Sequence, residues 1–435
     1  MTRFDASRRS VLSARDARQA DIDARLGAGW PALVAASLGL PGERKAPPGS
    51  GALFAWAVGR LARAFPEARR LHAARDALGP FAIWGVPAHP RAVKERCVAI
   101  EGWREAARLV DLDVYAGDGA PVDRAALRLP PRPCLCCGEP ARECIRASRH
   151  APGDLASRAA ALLARAPLER LSAALADGLL RELWLTPKPG LVDREDCGSH
   201  PDLTLPIMER SVARVGAALD ALAESAASGE PLERQIAIGR DAERRMLAEA
   251  GTNTHRGAVY LAGLLLLARH RAGGDGERPL REALSAVAGE VAASSRPRAT
   301  HGEAVRERFA VGGVLAEAAA GLPSVFRVAL PVLRARLRRG DGVERASFAA
   351  LARLMQTVED TTALHRCGAA GLARLRRDGA RLERLADAGE HLPFLRERNA
   401  LYRRMNLTMG GVADLLGIAL GWLAYRGELE DLTGG

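Results

Sequence analysis

The hydrophobic positions fall into two regimes along the chain. Up to about residue 165, short apolar runs of strand character, Phe81 to Val86 and Leu109 to Tyr115, are separated by helical stretches and Pro/Gly-rich turns, which predicts an α+β unit. Leu109 to Tyr115 alternates with a period of two, so Asp111 and Asp113 are expected on one face of a strand. Pro41 to Gly51 carries three prolines and three glycines and reads as a loop. From about Leu155 the pattern changes to long Ala/Leu/Arg segments with apolar residues at helical spacing, and it stays so to the end, which predicts an all-α part. The expected fold is therefore multi-domain, an N-terminal α+β domain over 1–155 followed by a larger all-α helical domain over 166–435. The boundary is placed at 151–166, where Ala151-Pro152-Gly153 and Ala166-Pro167 are expected to interrupt the helical pattern.

Composition supports two cores. A chain of 435 residues exceeds the size at which one core stops growing, and its 48% apolar content is interleaved with charge throughout. The longest oily stretches, Gly257 to Ala268 and Leu415 to Tyr425, are too short to span a bilayer, so no membrane partner is expected. No apolar region follows the first arginines, so a cytoplasmic location is expected. The net charge of +11 comes almost wholly from arginine, because only Lys45, Lys94 and Lys188 are lysines. Such a surface attracts nucleotide phosphates, an acidic protein or nucleic acid, but aromatics are only 4% and form no stacking array, which argues against nucleic acid. Four of the seven cysteines crowd between residues 134 and 144. Cys134, Cys137, Cys144 and His150 have spacings that a zinc site could use, and free thiols fit the pattern as well.

In the helical part, polar loops sit between oily segments. Leu168 to Trp184 has helix composition, and Pro187 and Pro189 stop it. Between those prolines Lys188 is expected on an exposed loop, where with Asp193, His200 and Asp202 behind it the segment could grip a triphosphate and its metal. The segment from Gly251 to Gly257 precedes the apolar helix Ala258 to Ala268. Asn253 or Thr254 serves there as a cap, or His255 and Arg256 make the helix start an anion site. Thr300 and Glu303 around His301 fit a capping box, and Glu317 lies near four helical turns beyond Glu303. Further on come Asp360, then His365-Arg366, and Gly410-Gly411 ahead of Asp414, an acid suited to Mg²⁺ or to capping a helix. No P-loop or kinase Gly-rich loop is present, so any nucleotide is held otherwise.

Taken in order, these pieces resemble the triphosphoribosyl-dephospho-CoA synthase family. They are Thr186-Pro187-Lys188-Pro189-Gly190-Leu191-Val192-Asp193, Gly198-Ser199-His200-Pro201-Asp202, Asn253-Thr254-His255-Arg256-Gly257, Ala299-Thr300-His301-Gly302-Glu303, Asp360-Thr361-Thr362-Ala363-Leu364-His365-Arg366 and Gly410-Gly411-Val412-Ala413-Asp414. The resemblance covers roughly 168–425 and implies that ATP is a glycosyl donor: 3'-dephospho-CoA takes its triphosphoribosyl part and adenine leaves. It implies Asp193, Asp202, Glu243, Glu303, Asp360 and Asp414 as candidates for metal or general-base work. Lys188, His200, Asn253, His255, Arg256, His301, Arg366, Gly410 and Gly411 would then surround the substrates. The chain departs from the family where it reads Gly313-Val314-Leu315-Ala316-Glu317, at Thr408-Met409 before the glycine pair, and at Cys367.

The N-terminal part, over about residues 8–155, looks like the apo-citrate lyase phosphoribosyl-dephospho-CoA transferase family. The matching pieces are Ala14-Arg15-Asp16-Ala17-Arg18-Gln19, Pro41 to Lys45, the Asp111-Leu112-Asp113 strand and the cysteine segment. That resemblance implies transfer of the prosthetic group to a serine of the citrate lyase acyl carrier subunit, with pyrophosphate leaving. Asp111 and Asp113 would hold Mg²⁺ against the leaving group, and Lys45, Arg15 and Arg18 would add positive charge. The alternatives are a helical domain serving malonate decarboxylase beside an inactive N-terminal domain, and a non-catalytic basic module that binds RNA or the carrier protein.

Overall fold

The computed structural model describes residues 3–42, 44–251, 254–274, 276–294, 308–309 and 311–429. The chain divides into two compact units, one ending at Glu169 and the other beginning at Arg170.

The first unit is built on an antiparallel sheet of β1 (Ala32–Leu38), β2 (Arg69–Asp76), β3 (Gly79–Val86), β4 (Val110–Ala116) and β5 (Pro121–Val122), in the order β2-β3-β1-β4-β5. The central β1 is apolar at nearly every position because both its faces are covered. On one face lie α2 (Ser50–Ala64) and α3 (Pro90–Glu101), whose Leu53, Ala57 and Leu61, and Val93, Cys97 and Ile100, recur at helical spacing and pack with Val34, Leu112 and Val114. On the other face, Leu33, Ala35, Phe81 and Ile83 pack with Ile22 of α1 (Arg3–Asp23). Asp113 stands opposite Ala35 and Asp111 opposite Ser37, so the two acids share that second face, as the alternation in β4 requires.

The helix α5 (Pro152–Trp184) runs straight through Pro167. The expected interruption at Ala166-Pro167 is therefore incorrect. Proline costs a helix one hydrogen bond and a clash, but Leu162, Leu163, Leu168 and Leu171 are all buried, so the turns on both sides of Pro167 are held by packing.

Every regular element described beyond α5 is helical: α6 (Leu205–Ala227), α7 (Leu232–Ala250), α8 (Arg256–Ala272), α9 (Glu277–Ala293), a π-helical turn at Ser324–Ala329, and helices including Val343–Thr357, Thr361–Ala388, His391–Met405 and Gly410–Tyr425. α8 and Gly410–Tyr425 are apolar on nearly all sides because the other helices surround them. Gly410–Tyr425 crosses α5 at glycines: a side chain on Gly178 would strike the backbone of Gly417 and Gly421, and one on Gly421 would lie 2.7 Å from the Ala174 carbonyl oxygen. This crossing sets Glu182, one turn beyond Gly178, and Asp414, three residues before Gly417, at the same end of the helix pair. Among the described residues no single helix is long and apolar enough to cross a membrane.

Candidate active site

The helical unit encloses a cavity of about 1450 Å³. Of the sequence-derived candidates, Lys188, His200, Glu243, His255, Arg256, Asp360, Gly410, Gly411 and Asp414 line it. Asn253, His301 and Glu303 lie outside the described residues.

Lys188 is the first correction, since only 1% of it is exposed. Its Nζ donates to Glu182 Oε1 and to the Glu182 carbonyl, each at 2.6 Å, so the lysine is an interior cation fixed to an interior carboxylate. Glu182 lines the same cavity and escapes the sequence reading. It sits inside a helical pattern with no loop signal, and only its spacing of four from Gly178 marks it.

The carboxylates divide by what their oxygens already do. Asp193 accepts from the backbone N–H groups of Lys188, Glu195 and Asp196, which ties the Pro-Lys-Pro loop into a turn. Asp360 caps the helix Thr361–Ala388 by accepting from Thr362 and Ala363, and its second oxygen takes Val412 N–H at 3.0 Å, pinning the start of Gly410–Tyr425. Both acids are buried and give most of their acceptor capacity to backbone N–H groups. Asp202 is exposed and outside the cavity. Asp414 is the exception. It does not cap its own helix; it accepts from the Ala258 N–H and otherwise faces the cavity. A side chain at Gly257 would put its Cβ against the Asp414 carboxylate, which would have to move aside. Burial, then the charges of Glu182 and Asp360, hold Asp414 well above the usual carboxylate range.

The histidines are hydrogen-bonding groups rather than cations. Burial, with Lys188 nearby, lowers His255 to about 4, and its Nδ1 lies 2.8 Å from Ser211 Oγ. His255 is also the N-cap position of α8 and its side chain makes no cap hydrogen bond, while Thr254 Oγ1 is hydrogen-bonded to Ser211 Oγ. Burial and the Arg366 charge lower His200 to about 4. Its ring bridges Thr408 Oγ1 at 3.0 Å and Arg366 Nη2 at 3.1 Å, and Arg366 also donates to the Ser199 carbonyl. Arg366 thus fastens the loop instead of reaching the cavity. Positive charge at the cavity comes instead from Arg256, which pairs with Glu243 at 3.4 Å, from Arg240, and from the exposed Arg327 and Arg376. An interior acid pair neutralised once by lysine, under a wall bearing four arginines, suits a polyanionic ligand.

In the first unit, the β4 edge beyond β5 lacks a strand partner, and α3 supplies one from side chains. Lys94 Nζ donates to the Leu112 carbonyl at 2.8 Å, while Glu101 Oε1 accepts the Leu112 N–H at 2.9 Å. On either side of Leu112 stand Asp111, paired with Arg132 at 3.0 Å, and Asp113. The surrounding protein, then the Asp111 charge, push Asp113 up to about 6 although its side chain reaches solvent. Lys94 and Glu101 carry no sequence signal beyond their spacing on α3. Arg18 is bound at two points to Asp76, at 2.7 Å each, and lies over the Phe81 ring, so it anchors α1. Lys45 donates to the Leu40 carbonyl, and Arg15 is exposed on α1. Cys134, Cys137, Cys144 and His150 present four ligand atoms within 4.8 Å of one another.

The helical unit is thus an enzyme core of the anion-binding, carboxylate-centred kind, and the sheet unit carries an acid pair suited to phosphoryl chemistry. Residues 168–433 match the family model for ATP:dephospho-CoA triphosphoribosyl transferase, and the chain belongs to that family. Residues 6–166 match the family model for apo-citrate lyase phosphoribosyl-dephospho-CoA transferase, so the chain fuses the two. A probable 2-(5''-triphosphoribosyl)-3'-dephosphocoenzyme-A synthase of Azotobacter vinelandii is 37% identical over 293 residues, spanning 63% of this chain and 97% of the relative. One of Pseudomonas aeruginosa is 38% identical over 285 residues, spanning 62% and 94%.

Proposed function

We propose that the helical unit makes 2'-(5''-triphosphoribosyl)-3'-dephospho-CoA from ATP and 3'-dephospho-CoA, and that the sheet unit then transfers the phosphoribosyl-dephospho-CoA group to a serine of the citrate lyase acyl carrier protein. The observation that carries the first step is Asp414, open to the cavity beside the Lys188–Glu182 pair. A ribose hydroxyl of dephospho-CoA forms a bond to the anomeric carbon of ATP while the bond to adenine breaks. Asp414 stabilises the oxocarbenium-like centre and takes the hydroxyl proton, which then passes to solvent, while the departing adenine takes up one proton from solvent, so no net proton is gained or lost. Arg240, Arg256 and Arg327 hold the triphosphate.

Mg²⁺ would fit Asp111 and Asp113, whose mutual repulsion a divalent ion would relieve; in the helical unit, where the free oxygen of Asp414 is given to the hydroxyl proton, the ion would be held by the triphosphate. When bound, it neutralises phosphate charge. In the second step the serine oxygen bonds to the phosphorus next to the ribose as the bond from that phosphorus to pyrophosphate breaks and the serine proton passes to solvent, with Lys94 and Arg132 adding positive charge beside the acid pair.

The test is incubation of the full chain with ATP, Mg²⁺ and dephospho-CoA, with products separated by chromatography. Free adenine is expected, and Asp414→Asn is expected to lower its formation by about a hundredfold or more. Dephospho-CoA-dependent ADP or AMP without adenine would overturn the assignment. Using the acyl carrier of malonate decarboxylase as a second acceptor identifies which lyase system is served, because only the cognate carrier gains the group.

A further inference from the structure

We propose that Cys134, Cys137, Cys144 and His150 hold one structural zinc ion, and that this ion fixes Arg132 against the Asp111 carboxylate. The segment Pro133–Pro140 is a tight hairpin: the Cys134 N–H donates to the Glu139 carbonyl at 2.6 Å and the Gly138 N–H to the Cys134 carbonyl at 3.3 Å. Gly138 closes the reversal with φ +77°, a left-handed conformation that a side chain would strain. Inside this turn, the backbone N–H groups of Cys136 and Cys137 both donate to the Cys134 sulfur.

The hairpin brings Cys137 next to Cys144 of the short helix Ala141–Arg146, 3.4 Å between sulfurs, and His150 Nε2 lies 3.3 Å from Cys137 Sγ. A tetrahedral zinc with Zn–S of about 2.3 Å sets neighbouring sulfurs about 3.8 Å apart, so the four atoms need only a small outward movement to receive the ion. Three sulfurs and an imidazole exclude Mg²⁺ and favour zinc. An odd number of thiols in the group also fails to make a set of disulfides. Cys136, between two of the ligands, is exposed and is not one of the group.

The knuckle is tied to the acid pair. Arg108 donates to the Cys134 carbonyl at 2.7 Å, and Arg132, two residues before the first ligand, donates to the Arg108 carbonyl at 2.8 Å, to the Val110 carbonyl and to Asp111. Four cross-links thus run from the metal-binding hairpin to β4 and its approach. The zinc is a positioning device for Arg132, and this part of the inference rests on the transfer reaction proposed above.

The experiment uses the full chain, expressed with zinc in the medium and purified under reducing conditions. Elemental analysis is expected to give about one zinc per chain, released by an organomercurial that titrates the thiols and detected with a colorimetric chelator. Cys136→Ser is expected to retain the metal. Cys144→Ser is expected to lose most of it and to modify the carrier about tenfold more slowly from supplied precursor, while adenine release reports that the helical unit remains folded. Wild-type protein with less than about a tenth of an equivalent, and no thiolate-to-metal absorption after cobalt addition, would overturn the site. A zinc-free Cys144→Ser protein with unchanged transfer would overturn the role given to Arg132. Stoichiometric zinc in a wild-type protein that transfers nothing to any carrier leaves the metal site standing and removes the transfer reading instead.

Discussion

Gly421→Ala tests whether the glycine crossing builds the active site. The new Cβ would lie 2.7 Å from both the Ala174 carbonyl oxygen and the Leu175 Cα, two backbone atoms of α5 that no rotamer change can move. Reaching ordinary contact requires the helices to part by roughly 0.7 Å, and overpacking of this kind costs about 3 kcal/mol at its upper end. Alanine returns about 1 kcal/mol of helix propensity, so the net loss is about 2 kcal/mol, a fall of roughly 4–8 °C in the unfolding temperature of a domain this size. The same displacement is felt two turns away at Asp414 relative to Glu182, so adenine release should fall about ten- to a hundredfold. Gly289→Ala, on α9 with nothing within 4 Å, is the control and should be neutral or stabilising. Calorimetry alongside adenine chromatography decides the matter. If Gly421→Ala raises the unfolding temperature as Gly289→Ala does, the close crossing is not what holds the two helices.

Lys188→Met should destabilise the helical unit by about 3–5 kcal/mol in denaturant titration, because Glu182 is left buried without its cation; Lys188→Met with Glu182→Leu should recover most of that stability without recovering ATP use. Asp111→Asn should leave adenine release intact while precursor accumulates and the carrier stays unmodified, as followed by mass spectrometry of the carrier. Acid should weaken the helical unit through its histidines. His200 and His255 fall from 6.5 unfolded to about 4 folded, so the unfolded chain binds more protons between these values, and stability is complete above about pH 6.5 and lost as pH falls toward 4. For the buried His255 alone the loss is roughly 3 kcal/mol, read from urea titrations across this range, and a pH-independent midpoint would contradict its burial as a neutral ring.

The parts of the fold that were legible are those where one physical cause acts alone. β4 shows its alternation because one face packs and the other carries Asp111 and Asp113, and α8 shows an unbroken oily run because helices surround it. β1 and β2 were not legible. β1 is covered on both faces and loses its period, and β2 is an exposed edge whose Arg69, Arg70, Arg75 and Asp76 read as a charged loop. Pro167 misled because its local cost is outweighed by leucines on both sides that only tertiary packing buries.

The site was legible as a set of loops but not as a division of labour, and the reason lies in the acids. Asp193, Asp360 and Asp414 each follow or precede a turn in the same way along the chain, and a sequence assigns them the same potential. What separates them is where the nearest unpaired backbone N–H groups end up. Helix starts and tight turns leave such donors by necessity, and a buried donor without an acceptor costs as much as a lost hydrogen bond. Asp193 meets three of these donors and Asp360 at least three, so both are consumed in folding. Asp414 lies past the start of its helix, where the helix satisfies its own amides, and among the described residues the backbone donor it meets is the Ala258 N–H at the start of α8. It is left with an oxygen facing the cavity and a charge opposed by Glu182, an unfavourable position for folding that is useful only when a cation or a developing positive centre occupies the cavity. The same contrast holds on β4, where Glu101 is spent on the Leu112 amide while Asp113 keeps its repulsion with Asp111. The roles proposed above therefore fall on the carboxylates that the backbone does not use.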